Sequence, residues 1–394
     1  MAADRIAFVC PRFAEHGTVG GAETLLKQLA ERAGRAGREV TFLTTCAEDH
    51  FTWANDRPAG RQRIGDLTVE FFPVDEDRDL ERFLETQDAI SRGLDVSDED
   101  ERAWIDNNVN SRALCDHLVA EGDAYDRIVI GPYLFGLVWN AAQVHPDKTL
   151  LVPCLHDEPF AYVRLMRALF DRVSGFLFNT PPERDLAKRL YAISDAACHV
   201  VGMGLDPFDT DASSFAAAHD IRAPYVLYAG RREVLKGTPL LVEFMHAFRK
   251  RTDRDVKLVC TGSGSIEAPP DMEPHVIDAG FVSETDKHAA MAGAVAFCHP
   301  SVNESLGIVI LESWLAGTPC LVHAGSDVLQ YQCRTGNGGL WFRTYPEFEG
   351  QLSLLLDRPD IRDRLGSNGR AYVRRDYAWA TVERRLFAAL DGTE

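Results

Sequence analysis

At 394 residues the chain exceeds what one hydrophobic core usually serves, so two domains of about 200 residues each are expected. Hydrophobic content of 45% and charged content of 26% describe an ordinary soluble globular protein. The formal net charge of −18 argues against nucleic acid as a partner and against unaided docking on an anionic bilayer, leaving at most peripheral membrane contact.

The opening residues, MAADRIAFVC, turn directly into a strand and lack a signal-peptide layout. No apolar run approaches the roughly 20 residues of a membrane span. The nine cysteines are scattered without a C-x-x-C pair, so buried thiols in a reducing cytoplasm are expected. Residues 5–13 read as the first strand, followed by the loop EHGTVGGAE and an amphipathic helix from Thr24. Further strands are expected at 40–46, 67–74, 128–130, 149–155 and 176–179. Helix-like stretches separate them, and this alternation predicts a parallel sheet covered on both faces. The acidic segment 75–110 breaks the rhythm and reads as an exposed helical insertion with a solvated face.

The pattern pauses at Val201-Gly202-Met203-Gly204-Leu205-Asp206-Pro207 and the small, polar stretch DTDASSFAAAHD, which marks a domain boundary. It restarts at 224–230, with a helix from Lys236 to about Arg251 and strands at 256–260, 276–277 and 296–298. A last helix is expected from Tyr377 to Leu390. The expected division is therefore 1–204, 205–376 and a terminal helix in 377–394.

Candidate chemistry concentrates in AFCHPSVNESLGIVILESWLAGTPCLV, residues 296–322. It reads as strand, polar loop, apolar helix and strand, with Gly317 and Pro319 as the helix stop. Glu304 lies just before the first helical turn, whose free N–H groups attract anions. Glu312 lies inside the helix among Ile310, Leu311, Trp314 and Leu315, where a lone carboxylate is costly without a partner. From the residues alone, Glu304 as a simple cap and Glu312 on a buried backbone donor are equally open.

Arg231 and Lys236 follow a strand and open a helix, where cations oppose the helix dipole and so call for an anion. Gly20-Gly21 lies after the first strand, where glycine lets backbone N–H groups approach a ligand closely. His156-Asp157-Glu158 closes the apolar run TLLVPCL at the carboxyl end of a strand, the usual ligand side of a parallel sheet. No dinucleotide fingerprint is present. The spacing in Gly17-Thr18-Val19-Gly20-Gly21-Ala22 is wrong, and Gly262-Ser263-Gly264 is followed by Pro269-Pro270 where a helix should run. The D-x-D strings at Asp75, Asp98 and Asp253 are of the kind that acid-rich stretches produce by chance, so no metal is expected.

Glu304 and Glu312, with seven residues between them, resemble the E-x7-E motif of retaining GT-B glycosyltransferases of family four, the glycosyl transferases group 1. The family pattern of roughly E-G-F-G, E-A and A-x-G-x-P-V stands here as Glu304-Ser305-Leu306-Gly307, Glu312-Ser313 and Ala316-Gly317-Thr318-Pro319-Cys320. Arg231 and Lys236 match its G-R-x4-K-G signature, and the likeness is sharp only between Gly230 and Cys320. The resemblance implies an α/β GT-B fold. Two Rossmann-like parallel-sheet domains would face a central cleft, with the C-terminal helix crossing back to the N-terminal, acceptor-binding domain.

The implied function is metal-independent, retaining transfer of a sugar from a nucleotide-diphosphate sugar to an acceptor hydroxyl, with no cofactor. By the same resemblance Glu312 holds the nucleotide ribose, and Glu304 the donor sugar at its 3- and 4-hydroxyls. Arg231, Lys236 and the backbone of Gly307 and Ile308 meet the diphosphate, joined by Gly20 and Gly21. Val282 bonds the base through its backbone, and His156 touches the transferred sugar. The donor base, the acceptor and the oligomeric state are left open. Rivals of similar architecture are a sugar-nucleotide epimerase and a phosphorylase. An epimerase needs a second acid–base pair and a phosphorylase a cofactor lysine or free-phosphate site, and neither signal is present. A non-catalytic partner subunit would be favoured only if Glu304, Arg231 or Lys236 were missing.

Overall fold

Short runs of branched and aromatic residues, buried on both faces, make most of the strands, as parallel sheets require. A computed structural model of the chain describes residues 4–13 and 20–392. Its contacts divide into two units, one running up to Met203 and resuming at Val382, the other Gly204–Thr381.

The first unit contains β1 (Arg5–Val9), α1 (Gly21–Arg35), β2 (Glu39–Thr45), β3 (Gly60–Ile64) and β4 (Leu67–Phe72). It continues through α2 (Leu80–Ser91), α3 (Asp98–Asp106), α4 (Arg112–Glu121), β5 (Arg127–Ile130) and α5 (Gly136–Ala141). Next come β6 (Thr149–Leu151), α6 (Arg164–Arg172), β7 (Gly175–Phe178), α7 (Pro181–Leu190) and β8 (Cys198–Val200). The sheet order is β3-β4-β2-β1-β5-β6-β7-β8. The order in which strands are added reverses between the parallel neighbours β1 and β5, so the loop after β1 opens at a topological switch point.

The second unit contains α8 (Ala212–Ala218), β9 (Tyr225–Ala229), α9 (Thr238–Thr252), β10 (Lys257–Thr261) and β11 (Val276–Gly280). Then follow α10 (Glu284–Gly293), β12 (Ala296–His299), α11 (Ile308–Ala316), β13 (Cys320–His323), α12 (Asp327–Gly336) and β14 (Gly339–Phe342). Helices α13 (Tyr345–Asp357) and α14 (Pro359–Asp376) complete it, and α15 (Trp379–Asp391) leads out of it, its residues from Val382 grouping with the first unit. The order β11-β10-β9-β12-β13-β14 is wholly parallel and switches between β9 and β12. Two parallel-sheet α/β units are therefore present, as expected.

Several local expectations need correction. Strand β3 pairs antiparallel with β4, because the tight turn at Gly65 folds GRQRI back on its neighbour. The run expected at 149–155 is a strand only to Leu151, since Cys154 takes a positive φ that ends the extended path. The helix expected from Lys236 begins at Thr238, behind a single 3-10 turn that holds Lys236. Segment 75–110 is helical but not merely a solvated face. Ile90, Trp104 and Ile105 enter the first unit's core, and the Glu101 carboxylate accepts from the backbone N–H groups of Arg164 and Leu165.

The second unit has its own core around Tyr228, Leu241, Met245, Phe248, Leu258 and Phe348. All nine cysteines are free thiols. Among the described residues no helix is long and apolar enough to cross a membrane.

Candidate functional site

The loops after β9 and β12 leave the carboxyl edge on either side of the second unit's switch point, and they carry Lys236 and Glu304. Gly237 brings them together: its φ is 74°, and a Cβ there would lie 2.8 Å from the carbonyl oxygen of Pro300. The left-handed backbone and the absent side chain both call for glycine. Lys236 Nζ donates to Glu304 Oε1 at 2.7 Å, and His299 Nε2 lies 3.0 Å from the same oxygen. Burial opposes the charge on Glu304, but Lys236 and His299 overcome it and hold the carboxyl far below its usual range. With Glu304 ionised, His299 Nε2 must carry the proton of that bond. The anion that Lys236 calls for is thus supplied within the chain, and Glu304 is an ion-pair acceptor, not a cap of α11.

The two arginines of Gly230-Arg231-Arg232 have different tasks. Arg232 is buried, with Nη1 2.5 Å from Asp278 Oδ2 and Nη2 donating to the carbonyl of Gly262. It locks the loop to the ends of β10 and β11. Arg231 points outward, its side chain 47% exposed and 3.2 Å from Glu233, and so remains available to an anion. Gly262, whose Cβ would fall 2.1 Å from the Gly230 carbonyl, exists for close packing of these loops and not for a dinucleotide.

Helix α11 starts at Ile308 behind Gly307 (φ 75°), with no side chain capping its first turn. Its N–H groups therefore face the Glu304 end of the loop. Glu312 lies one turn further on. Its partner is Lys287 of α10, with Nζ 3.0 Å from each carboxylate oxygen, not a buried backbone donor. Burial pushes the Glu312 carboxyl up, and Lys287 only partly opposes this. Val282 lies half-buried between β11 and α10.

In the first unit Gly20 precedes α1 without a capping side chain, and Gly21 begins the helix. Beside them Arg12 Nη2 donates to Glu23 Oε1 at 2.7 Å, a buried pair that the sequence reading did not single out. Residues 15–19 of the preceding loop lie outside the described residues. His156 follows β6, two strands from that unit's switch point, with Nδ1 3.4 Å from Glu158 Oε1. Glu158 also accepts from the Tyr133 hydroxyl at 2.9 Å, whereas Asp157 is taken by Arg189 and Tyr162. A cavity of about 560 Å³ lies between segment 90–101 and segment 157–164, lined by Glu101, Glu158, Tyr162 and Arg164 among others.

The D-x-D carboxylates have local work: Asp77 pairs with Arg112, Asp100 closes the capping box of α3, and Asp255 pairs with Arg249. Lys287 and His299 were missed because their partners come from other elements. A sequence signal existed for the first, since an acid inside an apolar helix demands a cation nearby.

Residues 209–372 match the family described as glycosyl transferases group 1. They are a group 1 glycosyltransferase domain. The chain is also 25% identical over 285 residues to the D-inositol 3-phosphate glycosyltransferase of Jonesia denitrificans, an alignment spanning 65% of this chain and 67% of that one. Among solved structures it resembles sucrose-phosphate synthase from Thermosynechococcus elongatus, with TM-score 0.73, 17% identity and coverage of 98% and 100% of the two chains. It similarly resembles Anabaena HepE in complex with UDP and glucose, with TM-score 0.71, 16% identity and coverage of 98% and 99%. At these identities the structural likeness speaks for the fold, GT-B. The glycosyltransferase domain contains Arg231, Val282, Lys236, Glu304, Gly307, Ile308 and Glu312, whereas Gly20, Gly21 and His156 lie in the other unit.

Proposed function

We propose that the protein transfers a sugar from a nucleotide-diphosphate sugar to an acceptor hydroxyl with retention at the anomeric carbon and without a metal ion. The observation that carries this reading is the Lys236–Glu304 ion pair at the switch point of the second sheet, beside the outward Arg231. Parallel sheets bind ligands there, and the arrangement offers two cations and uncapped helix N–H groups to one anion. The HepE structure with UDP and glucose supports a nucleotide-sugar donor.

In this reading Arg231, Lys236 and the amides of Gly307 and Ile308 stabilise charge building on the leaving diphosphate. Glu304, kept ionised by Lys236 and His299, accepts from the donor sugar hydroxyls, and Glu312 from the ribose. Attack comes from the same face. The bond from the anomeric carbon to the diphosphate oxygen breaks as the bond to the acceptor oxygen forms. The acceptor proton passes to the departing phosphate oxygen. Acceptor binding is assigned to the first unit, with His156 serving the transferred sugar.

The test is thermal stabilisation by UDP, GDP, ADP and dTDP, beside Arg231→Ala and Glu312→Ala. One diphosphate should raise the Tm of the native chain, and both variants should lose that response. If none acts at millimolar concentration, the reading is wrong.

A further inference from the structure

Glu312 is the one carboxylate on α11, and its side chain is only 12% exposed. Its countercharge comes from α10. Lys287 Nζ lies 3.0 Å from Oε1 and Oε2 of Glu312, and 2.7 Å from Oε2 of Glu284 one turn before it. The Lys287 side chain is 16% exposed, so water can replace it only in part. Burial works against its charge, yet the two carboxylates outweigh this and raise its pKa above the usual value.

A second observation points the same way. Glu284, His288 and Glu312 bring one ligand-type atom each to within 4.8 Å of one another, the spacing of a cation site. The cation between the two carboxylates is Lys287, held there by its own backbone on α10. His288, stacked on Phe208 at 3.5 Å, is pushed down to about 4 by burial and then by Lys287, so it adds no charge at neutral pH.

We propose that Lys287 is a positioning residue for donor binding, a tethered cation that fixes the orientation of the Glu312 carboxylate toward the ribose hydroxyls of a nucleoside diphosphate. The inference rests on the reading of Glu312 given above. A carboxylate that must accept two ribose hydroxyls has to be fixed in rotation and favoured in its charged form, and Lys287 fixes the first and works toward the second. Glu284 in turn fixes Lys287. The charged groups facing Glu312 are then Lys287 and Glu284, both from α10. Loss of Lys287 leaves burial and the repulsion from Glu284 unopposed, and both push the Glu312 carboxyl higher still.

The experiment is calorimetric titration of UDP, GDP, ADP and dTDP into native protein, Lys287→Met, Lys287→Arg and Glu312→Ala, at pH 6, 7 and 9. With the diphosphate that binds native protein, Lys287→Met should weaken binding at pH 7 by roughly tenfold or more. The loss should shrink as the pH rises, because a carboxyl pushed up by burial regains its charge in that direction, and Lys287→Arg should restore most of the affinity. If Lys287→Met does not fold, Lys287→Gln, which keeps a polar head for both carboxylates, carries the same comparison. Native-like binding by Lys287→Met and loss with Glu312→Ala would overturn this inference while leaving the function intact. A loss equal at all pH values and unrescued by arginine makes Lys287 merely structural and also overturns it. If no diphosphate binds the native chain, the functional reading falls first and this inference with it.

Discussion

Glu304 illustrates how a single acid can be kept charged in a nearly dry place. Its carboxyl oxygen takes bonds from an ammonium and an imidazole, and that pair outweighs the burial cost. Its folded pKa lies below the ordinary 4.5, so the stability it contributes is present above that value and disappears as pH falls through the folded one. Glu304 therefore stays ionised across the working range, and the acid limb of activity should come from elsewhere. Replacing Glu304 by Gln removes the charge without changing the shape, and kcat for sugar transfer should fall by about 10² to 10³. Glu304→Ala strands Lys236 and His299 without their acceptor, and urea unfolding should show a loss of about 1–3 kcal/mol. Unchanged turnover in Glu304→Gln would remove this residue from the chemistry. His156→Ala is expected to lower kcat while leaving diphosphate affinity, measured by titration, at the native value.

At the scale of elements, α11 is placed by a bare helix-on-helix contact. On α14, a Cβ at Gly366 would fall 1.9 Å from the Gly317 carbonyl, and one at Gly369 would fall 2.3 Å from the Trp314 ring. Gly366→Ala must push the helices apart, and chemical denaturation should show a cost of about 1–3 kcal/mol. In the first unit Glu183 ties the loops after β6 and β7 together. It accepts from the N–H groups of Leu155 at 2.7 Å and Asn179 at 2.6 Å. Burial pushes its carboxyl up to about 8, ahead of the lowering by those bonds. A raised folded pKa contributes stability below the ordinary 4.5 that is lost as pH rises through about 8. The first unit should therefore lose stability between pH 5 and 9, and Glu183→Gln should flatten that slope in urea titrations.

The same scale shows what sequence reasoning could reach. Glu304, Arg231 and Lys236 were legible because their spacing along the chain is itself the signature. Lys287 was not, because its pairing with Glu312 depends on how α10 lies against α11, which no spacing encodes. Strand β3 escaped notice for a different reason. All but the last of its residues, GRQRI, are exposed, so it has none of the apolar character by which the parallel strands declared themselves.

For the whole molecule, two cores that share no side chain imply two melting components. Scanning calorimetry with a nucleoside diphosphate at about 100 times its Kd should raise the glycosyltransferase domain by about 2.7 kcal/mol and leave the other component unmoved. A shift of both components together would show that the units unfold as one. Truncation after Thr381 should act on the opposite component. It removes the bonds from Arg127 Nε to the Leu390 carbonyl and from Arg38 to Asp391, and uncovers the site of the buried Leu386. The route of the chain, which leaves the first unit at Met203 and returns at Val382, also sets an order of events during synthesis. The glycosyltransferase domain is one unbroken stretch and can close as soon as it clears the ribosome. The unit made first has to wait, incomplete, for residues translated after the whole of its neighbour.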